Sequence, residues 1–414
     1  MKKTLQQLFC LSFIVLMFNA CQPAGVADLQ GGIWRATLKT ETGVEVPFNF
    51  ELSDSAGKKI IHIINGKELF RVDEIVQEGD SIQIQMPLFD SEIKAVLNGE
   101  QLSGKWVKHL ATTDVAMDFA AQHNVNWRFF EASPSAKVDL TGKWSTTFIS
   151  ADGKDTTLAI GQFSQEGSKL YGTFLTSTGD YRFLEGSVSG DKFYLSCFDG
   201  SHAYLFSGKV KGNTISDGKM YSGYSAVENW AATKDEQAVL PDAYSLVGLK
   251  TGYKSIDFTF PDLAGKPVSL KDPEFKNKVV IVQFFGSWCP NCMDETAFMV
   301  PFYNRYKDKG LAVVGLGYER TTDVERSRKN IKRLKDRFNV TYPLLITGYT
   351  NEKGEVVKSI PMLNGFMAFP TTIIIDKKGE VRKIHTGFSG PGTGKYYTEF
   401  AEEFEKLIQD LLAE

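Results

Sequence analysis

Residues 279–292 constrain the fold of this chain more than any other stretch. A strand-like run, Val279-Val280-Ile281-Val282-Gln283-Phe284-Phe285, leads through Gly286 and Ser287 into Trp288-Cys289-Pro290-Asn291-Cys292. A strand that ends in Cys-x-x-Cys puts the first sulfur, Cys289, where a helix begins. Free backbone N–H groups and the helix dipole stabilise a thiolate there. Cys292 follows one turn later, on the same helix face and within disulfide range of Cys289. Pro290 suits the first helical turn, where its missing N–H costs nothing. The pattern suits one thiol that attacks a disulfide and a second that resolves the mixed intermediate.

Two other uses of a Cys-x-x-Cys fit less well. A zinc half-site needs two further ligands at suitable spacing. The remaining cysteines are Cys10, Cys21 and Cys197, and the histidines (His62, His109, His123, His202, His385) are scattered singly. No metal and no cofactor is expected. A purely structural disulfide would close so short a loop that chain entropy gives it little stabilising effect.

At the start of the chain, Lys2 and Lys3 precede an apolar stretch from Leu8 to Phe18. This reads as an export signal over residues 1–20. It is short for a transmembrane helix, which needs about 20 apolar residues. Phe18-Asn19-Ala20-Cys21 resembles a bacterial lipobox, although Phe and Asn depart from the usual residues there. The resemblance implies that Cys21 is lipidated and that residues 21–30 form a tether; ordinary cleavage to a soluble periplasmic protein is the alternative. In lipoproteins of Gram-negative bacteria, an Asp after the cysteine usually retains the protein at the inner membrane. Gln22 stands there, which implies the outer membrane, with the protein facing the periplasm. The formal charge is −3, from 47 basic and 50 acidic residues. Nothing in that balance asks for nucleic acid.

The 414-residue chain exceeds one ordinary domain, and its pattern changes partway. Residues 31–240 carry short alternating runs such as Ile60–Ile64 and Phe193–Phe198, broken by Gly, Asp and Asn. Helical periodicity is nearly absent, so this part reads as all-β. It also repeats: Gly32-Ile33-Trp34 matches Gly142-Lys143-Trp144, and 98–106 echoes 212–220. Asn126-Trp127 and Asn229-Trp230 close the two units. Tandem β-modules over 31–132 and 138–234 are expected, separated by Ser133-Pro134-Ser135. The Gly-x-Trp openings resemble those of small lipocalin-like barrels. A packed sandwich or filled barrel, acting as a spacer or docking surface, is expected ahead of a ligand-holding one. Cys197 alternates with Phe193 and Leu195 and is expected to be an inert core thiol.

After a polar linker over 235–253 the pattern alternates. Strands are expected at Val279–Phe285, Leu311–Leu316, Pro343–Ile346, Thr371–Ile375 and Glu380–Thr386. Helices are expected at Pro290–Lys309, Thr322–Phe338 and Tyr396–Leu412. Residues 254–414 resemble the TlpA/ResA-like branch of the thioredoxin superfamily. The matching residues are Phe258–Asp262, Gly265–Leu270, Trp288–Cys292, Glu295 and Phe369-Pro370-Thr371-Thr372. The expected fold class is therefore multidomain: two tandem all-β modules followed by an α/β thioredoxin-like domain.

The resemblance implies Cys289 as nucleophile, Cys292 as resolving thiol and Pro370 as a cis-proline facing the dithiol. Trp288, Phe369 and Pro370 would line the substrate groove. Phe369 replaces the smaller residue common at its position. Ordinary thioredoxins place a buried Asp six residues before the first cysteine; here Gln283 stands there and cannot exchange a proton. Glu295, one turn beyond Cys292, would take that proton. The alternative is a solvent-facing first-turn glutamate. The expected function is an exported thiol–disulfide oxidoreductase acting as a reductant on protein disulfides and fed by a membrane electron donor. A redoxin-type peroxidase would want a Thr where Gly286 stands. A tethered binding protein led by the β-modules is the non-enzymatic alternative.

Overall fold

The computed structural model describes residues 28–132 and 134–414. Residues 1–27, on which the expected export signal, Cys21 and most of the expected tether fall, lie outside the described residues. Among the described residues, no helix is long and apolar enough to cross a membrane.

The first module is a nine-stranded antiparallel meander. Its first strand, Gly32–Lys39, pairs with its last, Asp114–His123, with Trp34 opposite His123. The ends of the strand order are Glu68–Val72 and Glu74–Glu78, which leaves an open seam between neighbours in sequence. The second module goes further. Lys169–Thr176 pairs with both Thr156–Glu166 and Leu184–Ser189, and Gly142–Ile149 pairs with Ala226–Lys234, so the meander closes on itself with no seam. A closed barrel of about eight strands has an interior just wide enough for side chains to fill. Here Trp144, Phe148, Phe163, Phe174, Phe193, Phe206 and Trp230 fill it. Phe174 lies 4.8 Å from Phe206 and 5.1 Å from Phe148 between ring centroids. This is a packed barrel, and aromatic rings occupy the space a lipocalin-like ligand would take.

The repeat legible in sequence has a structural counterpart. Trp34 Nε1 donates to the Gln30 carbonyl at 3.0 Å, and Trp144 Nε1 donates to the Leu140 carbonyl at 2.8 Å. Each tryptophan thus closes the bottom of its module through a carbonyl four residues earlier. The Asn-Trp echo, by contrast, is not structural. Trp230 is buried in the last strand of its barrel, whereas Trp127 lies beyond the last strand of the first module, under the Arg35 guanidinium. Cys197 sits in the second barrel's core, where burial pushes its thiol well above the usual range.

The C-terminal domain carries a five-stranded sheet in the order Leu344–Thr350, Leu311–Glu319, Val279–Phe285, Thr371–Ile375, Val381–Thr386. The first three strands are parallel and the last two antiparallel. Val279–Phe285 is central and buried along its whole length, because helices cover both sheet faces. Alternation sends Val279, Ile281 and Phe285 to one apolar cluster, and Val280, Val282 and Phe284 to another. Gln283 therefore faces the first helix, Pro290–Tyr306. The helix expected over Thr322–Phe338 runs Val324–Phe338, capped by the Asp323 carboxylate, and the last helix spans Lys395–Ala413. A short helix at Lys353–Ser359 was not expected. Gly354 and two adjacent valines give it little intrinsic preference. Burial of Val356 and a hydrogen bond between Ser359 and Tyr318 hold it in place.

Candidate active site

Cys289 is the residue that caps the first helix. Its backbone is extended, and its Sγ accepts the Cys292 N–H at 3.3 Å. One free donor of the helix start, the Cys292 N–H, is thus directed at the Cys289 sulfur. Pro290 occupies the first turn. Cys289 is 6% exposed and Cys292 is fully buried; both are free thiols. Burial pushes the Cys292 thiol well above its usual range, with the adjacent Cys289 adding to the shift.

The Phe369–Pro370 bond is cis, and the Phe369 carbonyl stands 3.7 Å from Cys289 Sγ. The first cysteine and the proline loop, 80 residues apart, therefore meet. The Phe369 ring is turned into an aromatic group with Trp288, Tyr318 and Phe366, at centroid distances of 5.6, 5.6 and 4.7 Å. Trp288 is fixed in turn by its indole N–H, which donates to the Tyr318 carbonyl at 2.9 Å.

Glu295 is only 1% exposed, which excludes the solvent-facing alternative. Its carboxylate accepts from Gln283 Nε2 at 2.8 Å and from Thr372 Oγ1 at 2.6 Å. The Tyr342 hydroxyl donates to Gln283 Oε1 at 3.2 Å, which orients the amide so that its NH2 faces Glu295. Thr296 Oγ1 donates to the Cys292 carbonyl at 2.7 Å. Burial raises the Glu295 carboxyl to about 7, opposed by the two hydrogen bonds. The glutamate is thus poised to exchange a proton near neutrality, and its charge is felt at Cys292.

Two neighbours were not foreseen from sequence. Glu319, at the end of its strand, accepts from Ser287 N at 2.9 Å and Ser287 Oγ at 2.8 Å, fixing the turn that delivers Trp288 and Cys289. Arg320 lays its guanidinium 5.0 Å from the Trp288 ring centroid. The available signal was a charged pair closing an apolar parallel strand, at the end where such sheets place their sites.

The β-modules also reach this face. Ser201 Oγ donates to the Trp288 carbonyl at 3.3 Å, and Asn291 Nδ2 donates to the Asp180 carbonyl at 3.1 Å. Arg182 pairs with Asp294 at 3.2 Å and with Glu68 of the first module.

Comparison with known proteins gives this geometry its relatives. The Redoxin family profile matches residues 250–399. The thioredoxin-like protein YneN of Bacillus subtilis is 35% identical over 141 residues, covering 34% of this chain and 74% of that protein. A thiol-disulfide oxidoreductase ResA of Bacillus thuringiensis subsp. konkukian is 31% identical over 133 residues, covering 32% of this chain and 68% of that protein. Among solved structures, a thiol:disulfide interchange protein of the thioredoxin family from Chlorobium tepidum TLS is 22% identical; the match covers 40% of this chain and 99% of that one, with a TM-score of 0.30. The Redoxin match falls in the domain that carries the dithiol. Through that domain the chain belongs to the TlpA/ResA-like branch of the thioredoxin superfamily and is a thiol-disulfide oxidoreductase.

Proposed function

We propose that the Cys289–Cys292 dithiol reduces protein disulfides in the periplasm, from a lipid anchor on Cys21 in the outer membrane. The observation that carries the chemistry is the cap geometry of Cys289 opposite the Phe369–Pro370 loop, backed by a buried carboxyl near neutrality. The Cys289 thiolate attacks one sulfur of the substrate disulfide. A Cys289–substrate bond forms, the substrate S–S bond breaks, and the departing thiolate takes up a proton. Cys292 gives its proton to Glu295 and attacks Cys289 Sγ, releasing the second substrate thiol. The substrate gains two electrons and two protons, and Cys289 and Cys292 become a disulfide. A membrane electron donor returns the pair to the dithiol form. Trp288 and Phe369 flank the site, and the backbone beside Pro370 pairs with the substrate chain.

The test is reduction of insulin disulfides by the mature chain with a recycling reductant. Turnover that survives Cys289→Ser would sink the reading. Peroxide consumption separates it from a redoxin-type peroxidase, the competing activity. Attachment has its own expected result. Cys21→Ser should move the mature protein from the membrane fraction to the soluble one, while insulin reduction stays within about twofold, because the anchor takes no part in thiol exchange. Membrane partitioning equal to wild type would defeat the anchor.

A further inference from the structure

A thiol that attacks disulfides on other proteins must present its sulfur to them, yet Cys289 lies beneath the chain's own second β-module. Contacts flank the motif on each side. Before it, Ser201 holds the Trp288 carbonyl; inside it, Asp180 holds Asn291; two residues after it, Arg182 pairs with Asp294. At the far edge the Gly390 N–H donates to Asp180 Oδ2 at 2.6 Å. The Thr178 backbone lies so close over Gly387 that a Cβ there would stand 2.5 Å from the Thr178 carbonyl carbon. Phe198, Ala203 and Leu205 of the barrel share one buried apolar cluster with Cys289, Cys292 and Met293.

The covering turn is hydrogen-bonded from within and from behind. Asp199 accepts from the N–H groups of Ser201 and His202 at 2.8 and 2.7 Å. The first module pins it from behind: Ser91 Oγ donates to the Gly200 carbonyl at 2.5 Å, and Lys108 Nζ to the Ser201 carbonyl at 2.7 Å. The two modules thus present one preformed surface to the dithiol.

We propose that this surface is a gate: a substrate protein reaches Cys289 only after the contacts of Asp180, Arg182 and Ser201 with the thioredoxin-like domain have parted. The inference rests on Cys289 being the attacking sulfur. Polar contacts suit a reversible closure, because buried ion pairs give little net stability once their desolvation is counted. Arg182 carries the marks of such a contact. Its backbone is left-handed, with φ at 57°, and its buried Nε and Nη1 have no hydrogen-bond partner among the described residues. A residue held in a disfavoured conformation and incompletely bonded is a natural place for the interface to release. Burial also raises the Asp294 carboxyl to about 7 and that of Asp180 to about 6, so closing this face keeps water from both.

Opening is read by iodoacetamide labelling of the reduced, full-length mature chain, with each cysteine followed by mass spectrometry. Arg182→Met and Asp294→Asn should each speed Cys289 labelling at least tenfold and raise insulin reduction in parallel. The two substitutions change local charge in opposite senses, so a shared acceleration reports access and not electrostatics at the sulfur. Cys197, buried in the barrel, is an internal check of folding and should stay unlabelled. If Arg182→Met exposes Cys197, the barrel has opened and the result for Asp294→Asn, on the other side of the interface, decides. Cys289 labelling within twofold of wild type in the folded variants would overturn the gate. That outcome is separate from a failure of the oxidoreductase reading, because alkylation needs no turnover.

Discussion

Cys289→Ser is expected to reduce disulfide exchange to background, and Cys292→Ser to leave the protein covalently joined to its substrate. The two outcomes follow from unequal placement of the sulfurs. Cys289 caps the helix, accepts the Cys292 N–H and stands 3.7 Å from the Phe369 carbonyl beside the cis-proline, so it is the sulfur placed at the substrate loop. A serine hydroxyl in the same place stays protonated and cannot attack. Cys292 is fully buried, with its thiol pushed well above the ordinary range, so it holds its proton until the mixed disulfide has formed. Without it, the Cys289–substrate bond persists until an outside thiol breaks it. Non-reducing electrophoresis and peptide mapping of the trapped species check the order. A species trapped through Cys292 in Cys289→Ser would reverse the assignment. The gate adds a kinetic expectation: the trap should accumulate faster when Arg182→Met is combined with Cys292→Ser than in Cys292→Ser alone.

Local chemistry made much of the catalytic domain legible in sequence. The Val279–Phe285 strand and the cysteine cap follow from an apolar run that ends at Cys-x-x-Cys. Strand alternation places Gln283 on the first-helix side, and one helical turn brings Glu295 back toward Cys292. What spacing could not give is how far Glu295 is buried, since that depends on Thr372 and Tyr342, distant in sequence. The β-modules were harder. Alternating runs and a repeated Gly-x-Trp announced them, but closure of the second barrel depends on Lys169–Thr176 pairing past Gly179–Asp180 with Leu184–Ser189, which alternation alone does not specify. The Asn-Trp echo misled because a dipeptide carries no register. Their contact with the dithiol left no sequence signal. Asp294 and Arg182 are ordinary charged residues in their own segments, and only the packing of separate modules makes them partners.

Replacing Glu295 by Gln should give a protein that is more stable above neutrality and slower in the second half of its reaction. The carboxyl is fully buried, and burial raises it from 4.5 in the unfolded chain to about 7. Between those values the folded protein binds a proton that the unfolded chain has lost, so folding becomes less favourable as pH rises through this window. Below about 4.5 both states are protonated and the effect is absent. A rise of this size corresponds to a penalty on the order of 3 kcal/mol at pH 8. Glutamine removes that penalty while keeping shape and hydrogen-bonding groups beside Gln283 and Thr372. Denaturant unfolding at pH 4 and pH 8 should show the variant gaining on wild type only at the higher pH. The kinetic consequence has the opposite sign. On the proposed mechanism the Glu295 carboxylate takes the Cys292 proton, and resolution in the wild type should then rise with pH through about 7. The variant should lose that inflection and about 10²-fold in rate, near the lower end for a general base. Attack by Cys289 should change little, because the carboxylate is engaged by Gln283 and Thr372 on the Cys292 side of the site. Rapid mixing with a disulfide substrate separates the two steps. Resolution rates and stability that match wild type at every pH would leave Glu295 a packing residue with no part in moving the proton.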